Sequence, residues 1–287
     1  MTRAPQAPLL WLDTLWLQVA GTLCNLKCTH CFISCAPDNN QHEMMSPLEV
    51  RRHVRDAAAL GAREYYFTGG EPFLNRDLLP MIEETLLQGP VTVLTNGLLL
   101  DTATCASLRR LADGSESSLD LRISLDGYGP EDHDSIRGPG TFRRAMEGTL
   151  RLNAAGLNPV ITVTEAADGI ASGEGRARFL ERLRALGLGR PRLKVLPLWR
   201  LGAETTRTSG YASEERLTED DVTRDGLERL QCASGRMATS RGVYVCPLLI
   251  DAPEARMGVS LQETLRPFEL SHGACVTCYR SGVTCRT

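Results

Sequence analysis

From residue 14 to residue 198, short β-rich runs alternate with amphipathic helical stretches, and no other feature narrows the fold as far. Repeated switching between strand and helix periodicity marks parallel βα units, because a parallel strand needs a long return path that a helix supplies. Residues 14–19, 64–68, 91–94, 119–125, 160–164 and 193–198 are the predicted strands. The clearest helix starts at Ser46, which forms a capping box with Glu49 and is followed by Pro47; it turns Leu48, Val54, Ala58 and Leu60 inward and stops at Gly61. Later helices carry Leu78, Leu79, Ile82 and Leu86, then Cys105, Leu108 and Ala112. Another follows a polar loop after residue 125, is capped by Thr141 and presents Phe142, Ala145, Thr149 and Leu152; a further one presents Phe179, Leu183 and Leu186 and ends at Gly187. Right-handed crossovers wind six such units into an α/β fold, a partial (β/α)6 TIM-like barrel whose functional loops gather at the C-terminal strand ends. Residues 199–216 read as a polar connector or lid, a helix capped near Thr218 follows, and periodicity fades beyond Cys232.

The composition of the 287 residues, 42% apolar and 23% charged, excludes disorder, collagen and coiled coil. Thirty-two Lys and Arg against thirty-five Asp and Glu leave a net charge of -3, without the basic excess of a nonspecific nucleic-acid or anionic-membrane binder. Residues 8–21 form an apolar stretch, but Asp13 and Gln18 interrupt it and it is too short to span a bilayer. Neither a nucleic-acid nor a membrane partner is expected, and the expected location is cytoplasmic.

The ten cysteines are too few for a disulfide scaffold of this length, yet they cluster at the two ends of the chain. Cys24-x3-Cys28-x2-Cys31 follows the first predicted strand, so its loop belongs at the mouth of the barrel. Three thiolates at this spacing suit a soft metal centre, either an iron-sulfur cluster or a structural zinc with His30, Cys35 or His42 as fourth ligand. Near the other end, Cys232, Cys246, Cys275 and Cys278 form two pairs, enough for a closed cluster or a zinc site. Cys105 reads as a buried packing thiol, while Cys35 and Cys285 are left over.

At these residues the chain resembles the radical S-adenosylmethionine (SAM) enzymes over residues 14–200, with His30 directly before the last cysteine of the loop. The resemblance implies a [4Fe-4S] cluster on Cys24, Cys28 and Cys31, with SAM at the remaining iron and an electron cleaving SAM to a 5'-deoxyadenosyl radical. Gly69-Gly70-Glu71-Pro72 looks like the family's GGEP motif, in which the glycines permit close backbone approach to SAM and Glu71 accepts its ammonium group. The segment around Ser124 and Asp126, with Arg137 beyond it, is similar to the fourth-strand segment of peptide- and sulfatase-modifying members. Ser124 and Arg137 are thereby implied as SAM ligands, and Leu196 as an apolar contact to the adenine; the alternative for Asp126, Asp134 and Arg137 is turn capping, and for Leu196 ordinary packing. Glu165 and Arg200 point toward the same mouth and read as solvated rim charges.

The second cysteine group resembles the C-terminal auxiliary domain of this family in its short twitch form, with one auxiliary [4Fe-4S] cluster rather than the two of a full SPASM domain. That resemblance divides the chain into a core barrel, 1–208, and a twitch-type domain, 209–287. Only thirteen residues precede the first predicted strand, which tilts the expected substrate toward a small molecule or a short peptide. The expected activity is hydrogen abstraction from that substrate, with the auxiliary cluster accepting an electron and a flavodoxin or ferredoxin as donor. A peptide epimerase returning hydrogen from a cysteine, Cys35 first and Cys285 second, is the alternative within the family. A non-catalytic zinc or iron-sulfur carrier is the alternative outside it.

Overall fold

Eleven strands form in chain order among the residues that the computed structural model describes, 3–166, 169–283 and 285. They are β1 Gln6–Ala7, β2 Thr14–Leu17, β3 Glu64–Phe67, β4 Val91–Thr95, β5 Leu119–Ser124, β6 Val160–Thr164, β7 Arg192–Leu196, β8 Gly235–Thr239, β9 Gly242–Tyr244, β10 Arg256–Gly258 and β11 Phe268–Glu269. The helices are α1 Pro47–Ala59, α2 Leu78–Leu86, α3 Thr102–Asp113, α4 Pro130–Arg137, α5 Thr141–Ala154, α6 Gly173–Ala185, α7 Thr205–Thr208, α8 Arg224–Glu228 and α9 Gly273–Ser281. Nine strands make one sheet in the order β10-β9-β8-β2-β3-β4-β5-β6-β7, and each neighbouring pair from β2 to β7 is parallel. All six predicted strands are therefore present as consecutive members of a parallel sheet. Their shared direction brings the loops after β2 to β7 to one end of the sheet.

The main core lies where the helices cover this sheet, with Leu15, Phe67, Val93, Ile123, Ile161 and Phe179 among its buried side chains. Ser46 caps α1 with the expected capping box, but the buried face is Val50, His53, Val54 and Ala57, and Leu48 is 70% exposed. Leu48 sits in the first turn on the opposite side of the helix, about half a turn round from that stripe. The polar stretch after β5 is a helix, α4, rather than a loop. Thr141 is the first residue of α5 and not its cap. Asp134 of α4 serves there, accepting from the backbone N–H groups of Gly140 and Phe142 at 2.7 and 2.8 Å. Thr218 closes only a single turn by a capping box with Asp221, and α8 begins later behind Thr223.

The strands β8 to β10 beyond residue 208 do not stand apart from this sheet. β8 pairs in parallel with β2, and β9 and β10 continue antiparallel from it. A second apolar cluster joins Trp16, Tyr66 and Trp199 to Leu249, Phe268 and Val276. No helix among the described residues is long and apolar enough to cross a membrane.

Candidate functional site

The loop after β2 packs on the loop after β3. Glu71 donates its N–H to the Leu23 carbonyl, and Gly70 donates to that of Gly21. A Cβ on Gly70 would stand 2.0 Å from the Leu23 oxygen, and Gly69, at φ +134°, would press on Ala20. The two glycines are thus needed for the approach of two backbones, whatever they also do for a ligand. Both line a cavity of about 170 Å³ together with Cys24, Cys28, Cys31 and Cys35. His30, Ser124, Arg137 and Leu196 line it too, so most of the residues singled out in the sequence meet here.

Glu71 and Pro72 do not line the cavity. The Glu71 carboxylate, expected to meet an ammonium group, is 0% exposed and accepts from Phe73 N–H, the Thr95 hydroxyl and Asn96 N–H at 3.2, 2.7 and 2.8 Å. It braces the turn after β3 against the end of β4. Burial pushes its pKa up to about 7 against the opposing pull of those donors. Asn96 passes the brace on, donating to Asn25 in the cysteine loop at 2.7 Å.

Asp126 is also absent from the cavity wall and forms the hub beneath it. Its carboxylate accepts from Arg137 Nε at 2.6 Å, pairs with His30 Nε2 at 2.8 Å, and accepts from the N–H and hydroxyl of Thr164 at 3.1 and 2.9 Å. Burial alone would raise its pKa, but Arg137 and His30 hold the carboxyl well below the usual range. Arg137, expected to reach a ligand carboxylate, therefore commits Nε to Asp126, while its Nη1 lies 4.0 Å from the Cys28 sulfur. His133 accepts from the Asp126 N–H; burial and the Arg137 charge take it down to about 4, so it is neutral at pH 7. Of the two rim charges, Glu165 is exposed, whereas Arg200 pairs with Glu215 and lies 4.3 Å over the Tyr211 ring.

Burial pushes the Cys24 thiol up to about 12 and raises Cys28 despite the Arg137 charge. The Cys35 thiol, hydrogen-bonded to Cys31, takes Cys31 down to about 6 and is itself driven up. Thiols buried in this way ionise readily only when a metal displaces the proton, which is the chemistry of a cluster or zinc ligand. Among the described residues no three His, Cys, Asp or Glu side chains converge as they would on a single ion. The thiolates of an iron-sulfur cluster bind separate irons and need not converge.

A second cavity, of about 190 Å³, is lined by Cys232, Cys246, Cys275 and Cys278 and by Cys285 as well. Cys232 precedes β8 and Cys246 follows β9, so the antiparallel pair brings them to one end, and Cys275 and Cys278 share a face of α9. Burial pushes Cys232, Cys246 and Cys275 up to about 12. Arg236, fully buried beside them, donates to the carbonyls of Cys232, Gly235, Thr264 and Arg266. Cys105 is buried in α3, as expected of a packing thiol.

Sequence reasoning did not single out Arg122, which lines the first cavity from β5 and is 1% exposed. The signal was present: Asp120, Arg122 and Ser124 alternate with Leu119, Leu121 and Ile123, which marks a polar face on a strand.

The sequence profile described as the radical SAM superfamily matches residues 19–166. A protein of Methanosarcina acetivorans named probable GTP 3',8-cyclase is 30% identical over 197 residues, 64% of this chain and 54% of its own. Its namesake in Methanosarcina mazei is 33% identical over 152 residues, 48% of this chain and 41% of that one. This chain therefore spans about half the length of these curated relatives. Among solved structures, Streptococcus suis SuiB bound to precursor peptide SuiA superposes with a TM-score of 0.67 at 13% identity, covering 94% of this chain and 71% of that one. Native anSMEcpe with bound AdoMet gives 0.62 at 16% identity, covering 88% and 79%. At these identities the likeness is one of fold. With the profile spanning the cysteine loop, the Gly-Gly turn and Ser124, the chain belongs to the radical SAM superfamily, a family of enzymes that use S-adenosylmethionine and an iron-sulfur cluster.

Proposed function

We propose that the chain abstracts hydrogen from a small-molecule or peptide substrate by reductive cleavage of SAM, within a partial (β/α)6 barrel formed by β2 to β7 and their helices. The observation that carries this reading is the single cavity lined by Cys24, Cys28 and Cys31 together with Gly69, Gly70 and Ser124 at the C-terminal strand ends. In this reading the three cysteines hold a [4Fe-4S] cluster, which with bound SAM supplies the electron and the 5'-deoxyadenosyl radical. The Gly69–Gly70 backbone and Ser124 orient SAM, and Leu196 offers its apolar side chain to the adenine. Asp126 fixes His30 and Arg137 and so holds the cysteine loop, to which α4 is also tied by Thr29 N–H donating to the Ile136 carbonyl at 2.9 Å. Glu71 positions its turn from behind and meets no ligand.

Residues 209–287 are read as a twitch-type unit whose Cys232, Cys246, Cys275 and Cys278 hold an auxiliary [4Fe-4S] cluster that accepts an electron after abstraction. Their common cavity supports this assignment. A flavodoxin or ferredoxin donor in the cytoplasm follows from the same reading. The relatives offer two directions for the substrate, a nucleotide by the name of the GTP 3',8-cyclases and a peptide by the complex of SuiB. One observation favours the epimerase variant: Cys35 lines the cavity and lies against Cys31. If it returns hydrogen, Cys35→Ser abolishes turnover while preserving SAM cleavage; full turnover removes that variant.

The test of the main reading is iron and sulfide content with 5'-deoxyadenosine release in anaerobically reconstituted protein. About eight irons per chain and release dependent on a reductant are expected. Stoichiometric zinc with no SAM cleavage would mean a metal-binding carrier instead.

A further inference from the structure

Parallel barrels fill their interior with Val, Ile and Leu. Here the cavity-facing positions of β5 and β6 are Arg122, Ser124, Thr162 and Thr164. The Arg122 guanidinium donates from Nε to the Thr162 hydroxyl at 3.2 Å and from Nη1 to the Cys285 carbonyl at 2.5 Å, and among the described residues no carboxylate pairs with it. Lys194 of β7 lies near enough for the two cations to repel; burial first and that repulsion second lower its pKa to about 8, against the opposing pull of the Cys285 thiol. The other two buried arginines have settled tasks. Arg236 spends its donors on four backbone carbonyls and Arg137 is paired with Asp126. The Cys285 thiol and the Tyr66 phenol also face Arg122, and burial raises the Cys285 thiol; among the described residues no carboxylate offsets the Arg122 charge, a costly state that an arriving anion would relieve.

We propose that Arg122, supported by Lys194, anchors an oxyanion of the substrate, a carboxylate or a phosphate, inside the barrel. The proposal rests on the radical SAM reading above and adds the class of substrate to it. Arg122 lies one strand repeat, about 7 Å, before Ser124 on the same face. It therefore stands deeper than the positions assigned to SAM, and its planar fork suits two oxygens of one group.

The experiment titrates inorganic pyrophosphate and, separately, succinate into anaerobically reconstituted protein saturated with SAM, by calorimetry. At least one probe binds, and Arg122→Met weakens it roughly tenfold or more while SAM affinity and iron content stay unchanged. Arg122→Lys recovers part of the loss, and Lys194→Met weakens binding by a smaller factor. Tighter pyrophosphate binding points to a phosphorylated substrate, and tighter succinate binding to a carboxylated one. The proposal is overturned if neither probe binds, if Arg122→Met binds as well as the wild type, or if that variant loses SAM affinity instead. Should Arg122→Met fail to fold, as judged by circular dichroism, equal probe binding by wild type and Lys194→Met overturns the proposal. Wild-type protein that binds SAM but no probe refutes this inference alone, whereas protein that binds no SAM refutes the reading beneath it.

Discussion

The two cysteine groups hold the same ligand type beside different ionisable side chains. Around Cys24, Cys28 and Cys31 stand His30, Arg137, Ser124 and Asn96, and the thiols are spread from about 12 for Cys24 down to about 6 for Cys31. Around Cys232, Cys246, Cys275 and Cys278 stand Leu230, Val245, Leu248, Leu249 and Phe268, with Arg229, Gln231 and Tyr279 at the same wall, and every one of those thiols is pushed up. Ionisable side chains set against the thiols, Arg137 at Cys28 and His30 at Cys31, suit a site that must also bind a charged cofactor, whereas four thiolates close a cluster by themselves. On the proposed reading, that difference separates a site for chemistry from a site for electron storage, although both are written with cysteines.

The largest test of that separation is one cysteine from each group. Cys28→Ala and Cys246→Ala should each lower iron by about half. Only Cys28→Ala should abolish 5'-deoxyadenosine release; equal loss in both would mean that the two sites do not work separately. Next in size is Asp126→Asn, which leaves Arg137 buried without its counter-charge. It should cost about 3–5 kcal/mol in denaturant unfolding, because breaking a buried pair strands one ion. Asp126 is held below its ordinary value of 3.8, so its stabilisation is complete above that pH and fades as pH falls below it. The wild-type and variant stability curves should therefore converge in acid, and parallel curves would refute the ion pair.

Glu71 has the opposite sign. Raised from 4.5 to about 7, it takes up a proton on folding, so stability is greatest below 4.5 and declines as pH rises to about 7. Over that window the decline attributable to Glu71 is about 3 kcal/mol, and Glu71→Gln should remove it from the pH profile of unfolding. An unchanged profile would show that the carboxylate is solvated. The smallest expected effect is Leu196→Ala, which should weaken SAM binding by about 1 kcal/mol through lost apolar contact, read as its dissociation constant. No change would return Leu196 to packing.

How far the sequence could be read follows the same division. The six parallel strands were legible because each carries apolar or β-branched residues at strand spacing and all but the last lead on to a helical period, and the cysteine loop and Gly-Gly turn mark the ends of two of them. α4 was read as a loop because its eight residues are polar and bury only His133 and Ile136. β8 escaped because a fully buried Gly-Arg-Met-Ala-Thr does not alternate, and its Arg236 is tolerated through the nearby carbonyls of Cys232 and Gly235 and the distant ones of Thr264 and Arg266. The position of Glu71 was legible, but its partners were not: they lie at residues 95 and 96, on a neighbouring strand that only folding brings near. Cys285 was left unassigned for the same reason, being tied to Arg122 across the fold.

The most direct test of the central claim is electron paramagnetic resonance of the reduced, reconstituted double variant Cys246→Ala/Cys275→Ala, with and without SAM. The account predicts one remaining [4Fe-4S] signal, on Cys24, Cys28 and Cys31, which shifts when SAM is added. A signal indifferent to SAM, or no cluster at all, would contradict it.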